Sequence, residues 1–321
     1  MSFHIPVLLK ETLEYLQPQP GQIIVDGTLG GGGHSLSLAK AIQPNGTLIG
    51  IDLDPAAIEE AQKNVDSEKI SSKTIFVKGN YKHIKDIING AGFEKVNAIL
   101  IDIGISSYDL EGSHRGFTFQ KNEPLDMRFD PEAVPHNKDK EPFTAKFILN
   151  HYQEHELKQI FDDYSEDKFS SRIARGVITT RQEGEIETTE QLFEIIKKSL
   201  PAKFRFKAGD SARRIFQALR IEVNHELENL QAFLPDAFES LLPNGRLAVI
   251  SFHSLEDRIV KRFFLEKAIG CTCPPEFPIC QCGKEPQAKV LTKKPIIASE
   301  AELKDNSRSG SAKLRVLQKL I

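Results

Sequence analysis

The chain has 321 residues, beyond the ~100–200 of a typical domain, so two domains or one domain with a large insertion is expected. Its 40% hydrophobic and 27% charged residues are an ordinary globular composition with ample material for a core. The net charge of −3, from 42 Lys and Arg against 45 Asp and Glu, excludes a globally basic nucleic-acid binder, so any such site has to be a local patch.

The start, His4-Ile5-Pro6 followed by the mixed Val7-Leu8-Leu9-Lys10-Glu11, excludes a secretory signal. No apolar run approaches the ~18 residues needed to span a bilayer, so a soluble, cytoplasmic protein without a membrane partner is expected. Residues 6–16 read as a helix with proline in its first turn. Apolar β-rich runs at 23–25, 47–51, 74–77 and 98–101 then alternate with helical periods near 35–41, 55–65 and 81–88. Such alternation predicts βαβ units around a parallel sheet.

From about Gly112 this pattern gives way to Gly-, Pro- and charge-rich sequence through Pro142. Helical periods follow at 154–163, 168–181 and 188–199, with no convincing strand. A long helical stretch, 212–242, leads to a strand at 246–250, a helix at 254–267 and a last apolar alternation at 314–317. The expected organisation is an α/β sheet domain, 1–112 plus 213–321, interrupted by a helical domain over 113–212.

The segment Val25-Asp26-Gly27-Thr28-Leu29-Gly30-Gly31-Gly32-Gly33-His34 joins the first strand to a helix. A glycine-rich turn there brings backbone N–H groups and close backbone approach to a ligand over the strand's carboxyl end. Asp52, ending Gly50-Ile51-Asp52 roughly 20 residues on, stands where a carboxylate hydrogen-bonds a ribose diol. Together they indicate a nucleoside cofactor. The dinucleotide fingerprint G-x-G-x-x-G, read from Gly30 and Gly32, needs glycine at position 35, where Ser35 stands. An acid just before the glycines suits the cationic amino and sulfonium groups of S-adenosyl-L-methionine better than a pyrophosphate. Asp102 ends the fourth strand, in Ala98-Ile99-Leu100-Ile101-Asp102-Ile103-Gly104-Ile105-Ser106-Ser107, at the sheet edge where such folds bind ligands; a helix cap is the alternative there.

Beyond these features the chain resembles the MraW/RsmH family, methyltransferases acting on the exocyclic N4 of a cytosine in small-subunit ribosomal RNA. The resemblance is carried by His4-Ile5-Pro6-Val7-Leu8, Asp26-Gly27-Thr28 with Gly32-Gly33-His34, and Asp102-Ile103-Gly104 with Ser106-Ser107. It continues through Arg115-Gly116-Phe117, Pro124-Leu125-Asp126-Met127-Arg128, and Phe216-Gln217-Ala218-Leu219-Arg220-Ile221 with Val223-Asn224. Ser251-Phe252-His253-Ser254-Leu255-Glu256-Asp257-Arg258 and Ser311-Ala312-Lys313-Leu314-Arg315 complete it, so it covers essentially the whole chain.

The resemblance implies a Rossmann-like methyltransferase sheet with an inserted all-helical, substrate-recognising domain. It implies cofactor contacts at Gly32, Gly33, His34, Asp52, Tyr81, Asp102 and Asp109, with Tyr81 stacking on or beside adenine. Asp109 stands where the family commonly carries glutamine, and an ionised acid cannot donate the amide hydrogen bond. Asp126, Arg128, Asn224, Ser251 and His253 are placed around the target base, against the alternative of caps, salt bridges or core hydrogen bonds. The partner implied is small-subunit ribosomal RNA or the ribosomal subunit, and a homodimer is left open.

Methyl transfer from an activated sulfonium asks chiefly for alignment and exclusion of water. Cytosine's amine has a delocalised lone pair, so an acceptor has to hold its N–H; Asp102 and the 103–107 turn, including Ser106, are the catalytic candidates. A base reaching a buried donor has to be unstacked. Lys203-Phe204-Arg205-Phe206-Lys207 interleaves cations with aromatics in a composition fit for RNA. Arg213-Arg214, Lys261-Arg262, Lys293-Lys294, Arg308 and Lys313 with Arg315 add charge, or are merely solvated faces. Cys271-Thr-Cys273 and Cys280-Gln-Cys282 hold all four cysteines; four thiolates on zinc and simple reduced thiols both fit, and no metal is assigned.

Three other functions compete. An NAD-dependent dehydrogenase would want the glycine that Ser35 replaces. A DNA amino-methyltransferase usually has an Asp/Asn/Ser-Pro-Pro-aromatic block where Asp102-Ile103-Gly104-Ile105 stands. A zinc-containing RNA-binding factor without turnover would have lost the strand-end acceptor, and Asp102 is present.

Overall fold

The computed structural model describes residues 6–68, 70–106, 109–110, 112–133, 141–271, 273 and 281–321; His4, Ile5, Ser107 and Cys280 lie outside them. The chain divides into two compact units, Met1–Gly104 with Glu228–Ile321, and Ile105–Leu227.

The first unit is built on a seven-stranded sheet of order β3-β2-β1-β4-β5-β7-β6. Strands β1 (Ile23–Asp26), β2 (Thr47–Asp52), β3 (Lys73–Lys78), β4 (Val96–Asp102) and β5 (Leu241–Ser251) are mutually parallel. Strand β7 (Lys313–Lys319) runs antiparallel to β5, and β6 (Ala288–Val290) antiparallel to β7. A dinucleotide-binding sheet keeps six parallel strands in the order 3-2-1-4-5-6; the antiparallel β7 next to β5 departs from it.

Successive residues of each central strand point to opposite faces. Val25, Ile49, Ile51, Ile99, Ile101, Leu247 and Val249 feed one buried cluster, and Ile24, Leu48, Leu100, Ala248, Ile250 and Leu314 the other. A sheet covered on both sides explains why these strands read as unbroken apolar runs. Leu230, Phe233 and Phe264 cover the first face, and Leu16, Leu38 and Ile42 the second.

The chain leaves β1 toward β2 and β3 on one side and resumes at β4 on the other. The crevice at the carboxyl ends of β1 and β4 is therefore the switch point where open α/β sheets bind ligands. Asp26 pairs in register with Leu100 of β4, and Asp102 with Ile250 of β5.

The second unit is helical: Ala145–His151, Glu154–Ser165, Ser170–Arg181, Thr189–Ser199 and Ala208–Asn224. In the last of these, Ala208, Ser211, Ala212, Ile215, Phe216 and Leu219 are buried, the three- and four-residue spacing of one apolar stripe. Its Ala212, Ile215, Phe216 and Leu219 pack with Leu157, Phe161, Ile173, Val177, Leu192 and Ile196 in one core.

Several elements differ from the sequence expectation. The first helix is Leu9–Leu16, because Leu8 at φ 52 turns the chain and leaves Pro6 ahead of it. The stretch expected as one helix over 212–242 is Ala208–Asn224 and Glu226–Glu239, broken at His225 with φ 49, and β5 already starts at Leu241. The helix expected at 81–88 opens as the single 3-10 turn Tyr81–His83 and continues as Ile84–Gly90. The helix Ala145–His151 and strand β6 had no expected counterpart. No helix among the described residues is long and apolar enough to cross a membrane.

Candidate functional site

In the first unit the glycine-rich turn leads from β1 into the helix Gly33–Ala41, whose N-cap is Gly32 at φ 75. A Cβ at Gly32 would lie 2.9 Å from the Ala61 Cβ and 3.0 Å from its Cα, so the turn lies directly against the neighbouring helix Pro55–Ser67. Only glycine supplies both the left-handed conformation and the clearance. Orphan N–H groups at this helix start make the turn a cradle for an anionic or polar ligand group.

Three acids end the strands around it. Asp52 Oδ2 accepts the Gly30 N–H at 2.8 Å and its Oδ1 the Asp54 N–H at 2.9 Å, which fixes the carboxylate at the end of β2. Asp26 is buried, its Oδ2 accepting the Ser35 hydroxyl at 2.6 Å and its Oδ1 the Thr28 N–H at 3.2 Å. Position 35, where the dinucleotide fingerprint wants glycine, is thus used to hold Asp26. Burial outweighs these hydrogen bonds and, with the Asp52 charge, pushes the Asp26 carboxyl up to about 7.

Asp102 receives its orientation from β4 and from Thr28, whose Oγ1 accepts the Asp102 N–H at 2.6 Å. Burial, with the charges of Asp26 and Glu256, pushes its carboxyl up to about 7 against a hydrogen bond from the Gly104 backbone. Oδ2 lies 3.9 Å from His34 Nδ1, and Oδ1 is a buried acceptor without a hydrogen-bond partner among the described residues. His34 Nε2 is 3.0 Å from the Val7 carbonyl, which only accepts, so that nitrogen carries the proton and donates.

Tyr81 starts the 3-10 turn after β3, with Asn80 as its cap, and packs edge-on against Phe233 at 5.3 Å. Ser251 is the last residue of β5 and His253 lies just past it. Ser251 Oγ is 3.5 Å from the Lys313 carbonyl, and His253 is the N-cap of the helix Ser254–Ala268. Glu256 Oε2 accepts the N–H groups of Phe252 and His253 at 2.8 and 3.2 Å. His253 Nε2 stands 2.9 Å from Glu256 Oε1 without making a hydrogen bond to it. A Cβ at Gly104 would lie 2.6 Å from the Phe252 ring, so the chain just past β4 runs close against that ring.

The remaining candidates belong to the helical unit and are held within it. Asp109 Oδ2 accepts the backbone N–H and hydroxyl of Ser106 at 3.0 and 2.6 Å, and its Oδ1 pairs with Arg115 Nη2 at 2.8 Å. Asp126 and Arg128 form a two-pronged pair, 2.7 and 2.8 Å. Asn224 accepts the Phe129 N–H and donates to the carbonyls of Met127 and Arg220, which ties the 127–129 turn to the helix. The 3-10 segment Ala202–Lys207 places Lys203 over Phe204 and Lys207 over Phe206, with Phe206 79% exposed. Arg213 and Arg214 face Asp210 and Asp167, so part of their charge is answered locally.

The family profile described as the MraW methylase family matches residues 1–320. The chain belongs to the MraW methylase family. The ribosomal RNA small subunit methyltransferase H of Heliobacterium mobile is 48% identical over 322 residues, covering 100% of both chains. The protein of that name from Clostridium botulinum strain Loch Maree is 48% identical over 317 residues, covering 99% of each. That from Heliobacterium modesticaldum is 45% identical over 318 residues, covering 99% of this chain and 98% of the relative.

S-adenosylmethionine is the cofactor of this MraW methylase. Its fit is visible in the chain's own atoms: a glycine-lined helix start beside acidic strand ends, one of which keeps a buried unsatisfied oxygen for a cation to meet. Thr28, Ser35 and Glu256 were not among the residues singled out as site residues from sequence. Thr28 and Glu256 stood inside quoted family blocks, and Ser35 was noted only for not being glycine, so what was missing was the identity of each partner.

Proposed function

We propose that this chain methylates the exocyclic N4 amine of a cytosine in small-subunit ribosomal RNA, within the cytoplasm, and that the helical unit recognises the RNA. The observation that carries this beyond family membership is the strand-end acid Asp102, with an unsatisfied acceptor oxygen at the carboxyl edge of β4. Bound S-adenosylmethionine supplies an activated methyl group, leaving the protein to position and to exclude water.

Gly32, Gly33 and His34 would hold the cofactor's amino-acid end at the helix start, Asp52 its ribose diol and Tyr81 its adenine. Asp102 would hold an N–H of the cytosine amine, orienting the nitrogen lone pair toward the donor. With its carboxyl near 7 it is poised to share a proton at neutral pH. Ser106, committed to Asp109, would shape the turn after β4 more than act on the base. Asp126, Arg128 and Asn224 are engaged with one another's loop and would define the substrate surface through its shape, while Ser251 and His253 would do so at the end of β5. Lys203, Arg205 and Lys207 would meet phosphates and Phe206 a base.

The test is incubation with labelled S-adenosylmethionine and, separately, small-subunit particles, free ribosomal RNA and duplex DNA, followed by identification of the nucleoside. Label in N4-methylcytidine from ribosomal RNA or the particle is expected. Label confined to DNA, or on another base, overturns the proposal.

A further inference from the structure

Among the described residues of the segment that joins the helix Ser254–Ala268 to β6, residues 269–287, none is buried. Its ends are pinned: Gln287 donates to the Lys267 carbonyl at 3.0 Å, and Leu320 donates to the Gln287 carbonyl at 2.9 Å. Between those ends the described residues contribute no side chain to a buried cluster. The sulfur atoms of Cys271, Cys273 and Cys282 nevertheless converge to within 4.8 Å of one another.

We infer that Cys271, Cys273 and Cys282 are ligands of a structural zinc ion that closes this segment. Three features point to a metal. First, the Cys271 and Cys282 sulfurs are 3.7 Å apart. Two thiolates on tetrahedral zinc, with Zn–S about 2.3 Å, stand about 3.8 Å apart, whereas a disulfide needs about 2.05 Å. Second, backbone N–H groups aim at the sulfurs, Cys273 N at Cys271 Sγ, 3.4 Å, and Gln281 N at Cys273 Sγ, 3.3 Å. Such donors support thiolate charge and orient ligands for a metal. Third, Gly283 directly after Cys282 has φ 59, the left-handed turn that bends the chain back around a ligated cysteine.

The chemistry follows from the donors. Soft thiolates select zinc over the hard cations, and binding sends the thiol protons to solvent. The fourth position is left to a donor outside this trio. Since none of the segment's described residues is buried, metal affinity would appear as local order near β6, in the manner of small domains folded by zinc. This inference is independent of the RNA substrate and of methyl transfer.

The experiment uses the full chain, purified under reducing conditions without chelator and assayed for metal by mass spectrometry. About one zinc per chain is expected, falling below about a tenth in the Cys271→Ser, Cys282→Ser double variant. Cobalt(II) added to the metal-stripped wild type should give intense sulfur-to-cobalt bands in the near ultraviolet, a readout that holds even if the variant fails to fold. The inference is overturned if wild type reconstituted with Zn²⁺ retains under about a tenth of an equivalent. It is equally overturned if the cobalt spectrum lacks thiolate bands, or if the protein as purified with reductant, alkylated and then mapped without further reduction, shows a Cys271–Cys282 disulfide.

Discussion

A carboxyl pushed up to about 7 at a cationic cofactor's site makes affinity depend on pH, and Asp102 is the acid to follow, being 22% exposed where Asp26 is sealed by Ser35 and Thr28. About a tenth of such a group is ionised at pH 6 and about nine tenths at pH 8. If the sulfonium and ammonium charges are held by the ionised form, the apparent Kd is the intrinsic one divided by that fraction. It should then rise about tenfold from pH 8 to pH 6. Asp102→Asn removes most of that slope, and affinity at pH 8 falls toward the wild-type value at pH 6. S-adenosylhomocysteine, which keeps the ammonium but has lost the sulfonium charge, should show a shallower dependence. Titration calorimetry at three pH values with both ligands measures all of this. A wild-type Kd for S-adenosylmethionine that is flat from pH 6 to 8, or an Asn variant with the wild-type slope, refutes the reasoning.

Asp26 allows a stability test with a definite sign. Its folded value near 7 lies above the ordinary 3.8, so ionising it penalises the fold; the penalty is absent at low pH and complete above 7. Asp26→Asn should therefore raise Tm more at pH 8 than at pH 5 in the cofactor-free protein, and an equal shift at both refutes the burial argument. Gly32→Ala combines left-handed backbone with a Cβ 2.9 Å from Ala61, whereas Gly21→Ala, at φ 81, meets no atom within 4 Å. The first should cost about 2–4 kcal/mol and the second about 1–2 in denaturant unfolding; equal losses would show that the clash relaxes freely. Asp109→Ala removes one of the partners of the buried Arg115 guanidinium and should cost about 2–3 kcal/mol, against about 1 for Ser106→Ala, read by the same titrations. Replacing Lys203, Arg205 and Lys207 together by alanine should flatten the log K against log salt slope for RNA by about two, and an unchanged slope removes this segment from the RNA surface.

Much of the sheet was legible because its strands are buried on both faces and therefore read as apolar runs ending in Asp26, Asp52 and Asp102. Legibility failed where structure depends on a single torsion or on a distant partner. The break at His225 is one left-handed residue inside an otherwise helical period. Strand β6 is three residues on an edge, too short to show alternation. Within the site, strand-end position was readable from spacing, but Ser35 on Asp26 and Thr28 on the Asp102 N–H are contacts that no local period announces. The same holds for Asn224, whose partners at 127 and 129 lie nearly a hundred residues earlier. Family resemblance located Thr28 and Asn224, though not Ser35, without distinguishing a ligand contact from a brace.

The bare backbone of Gly104 under the Phe252 ring joins two strand ends that are far apart in the chain. Neither position can drift alone: a methyl at 104 demands a smaller side chain at 252, and a smaller ring at 252 opens a void over the residues that follow Asp102. A change just past β4 would therefore have to be matched by one just past β5, since a single substitution at either position leaves a collision or a hole.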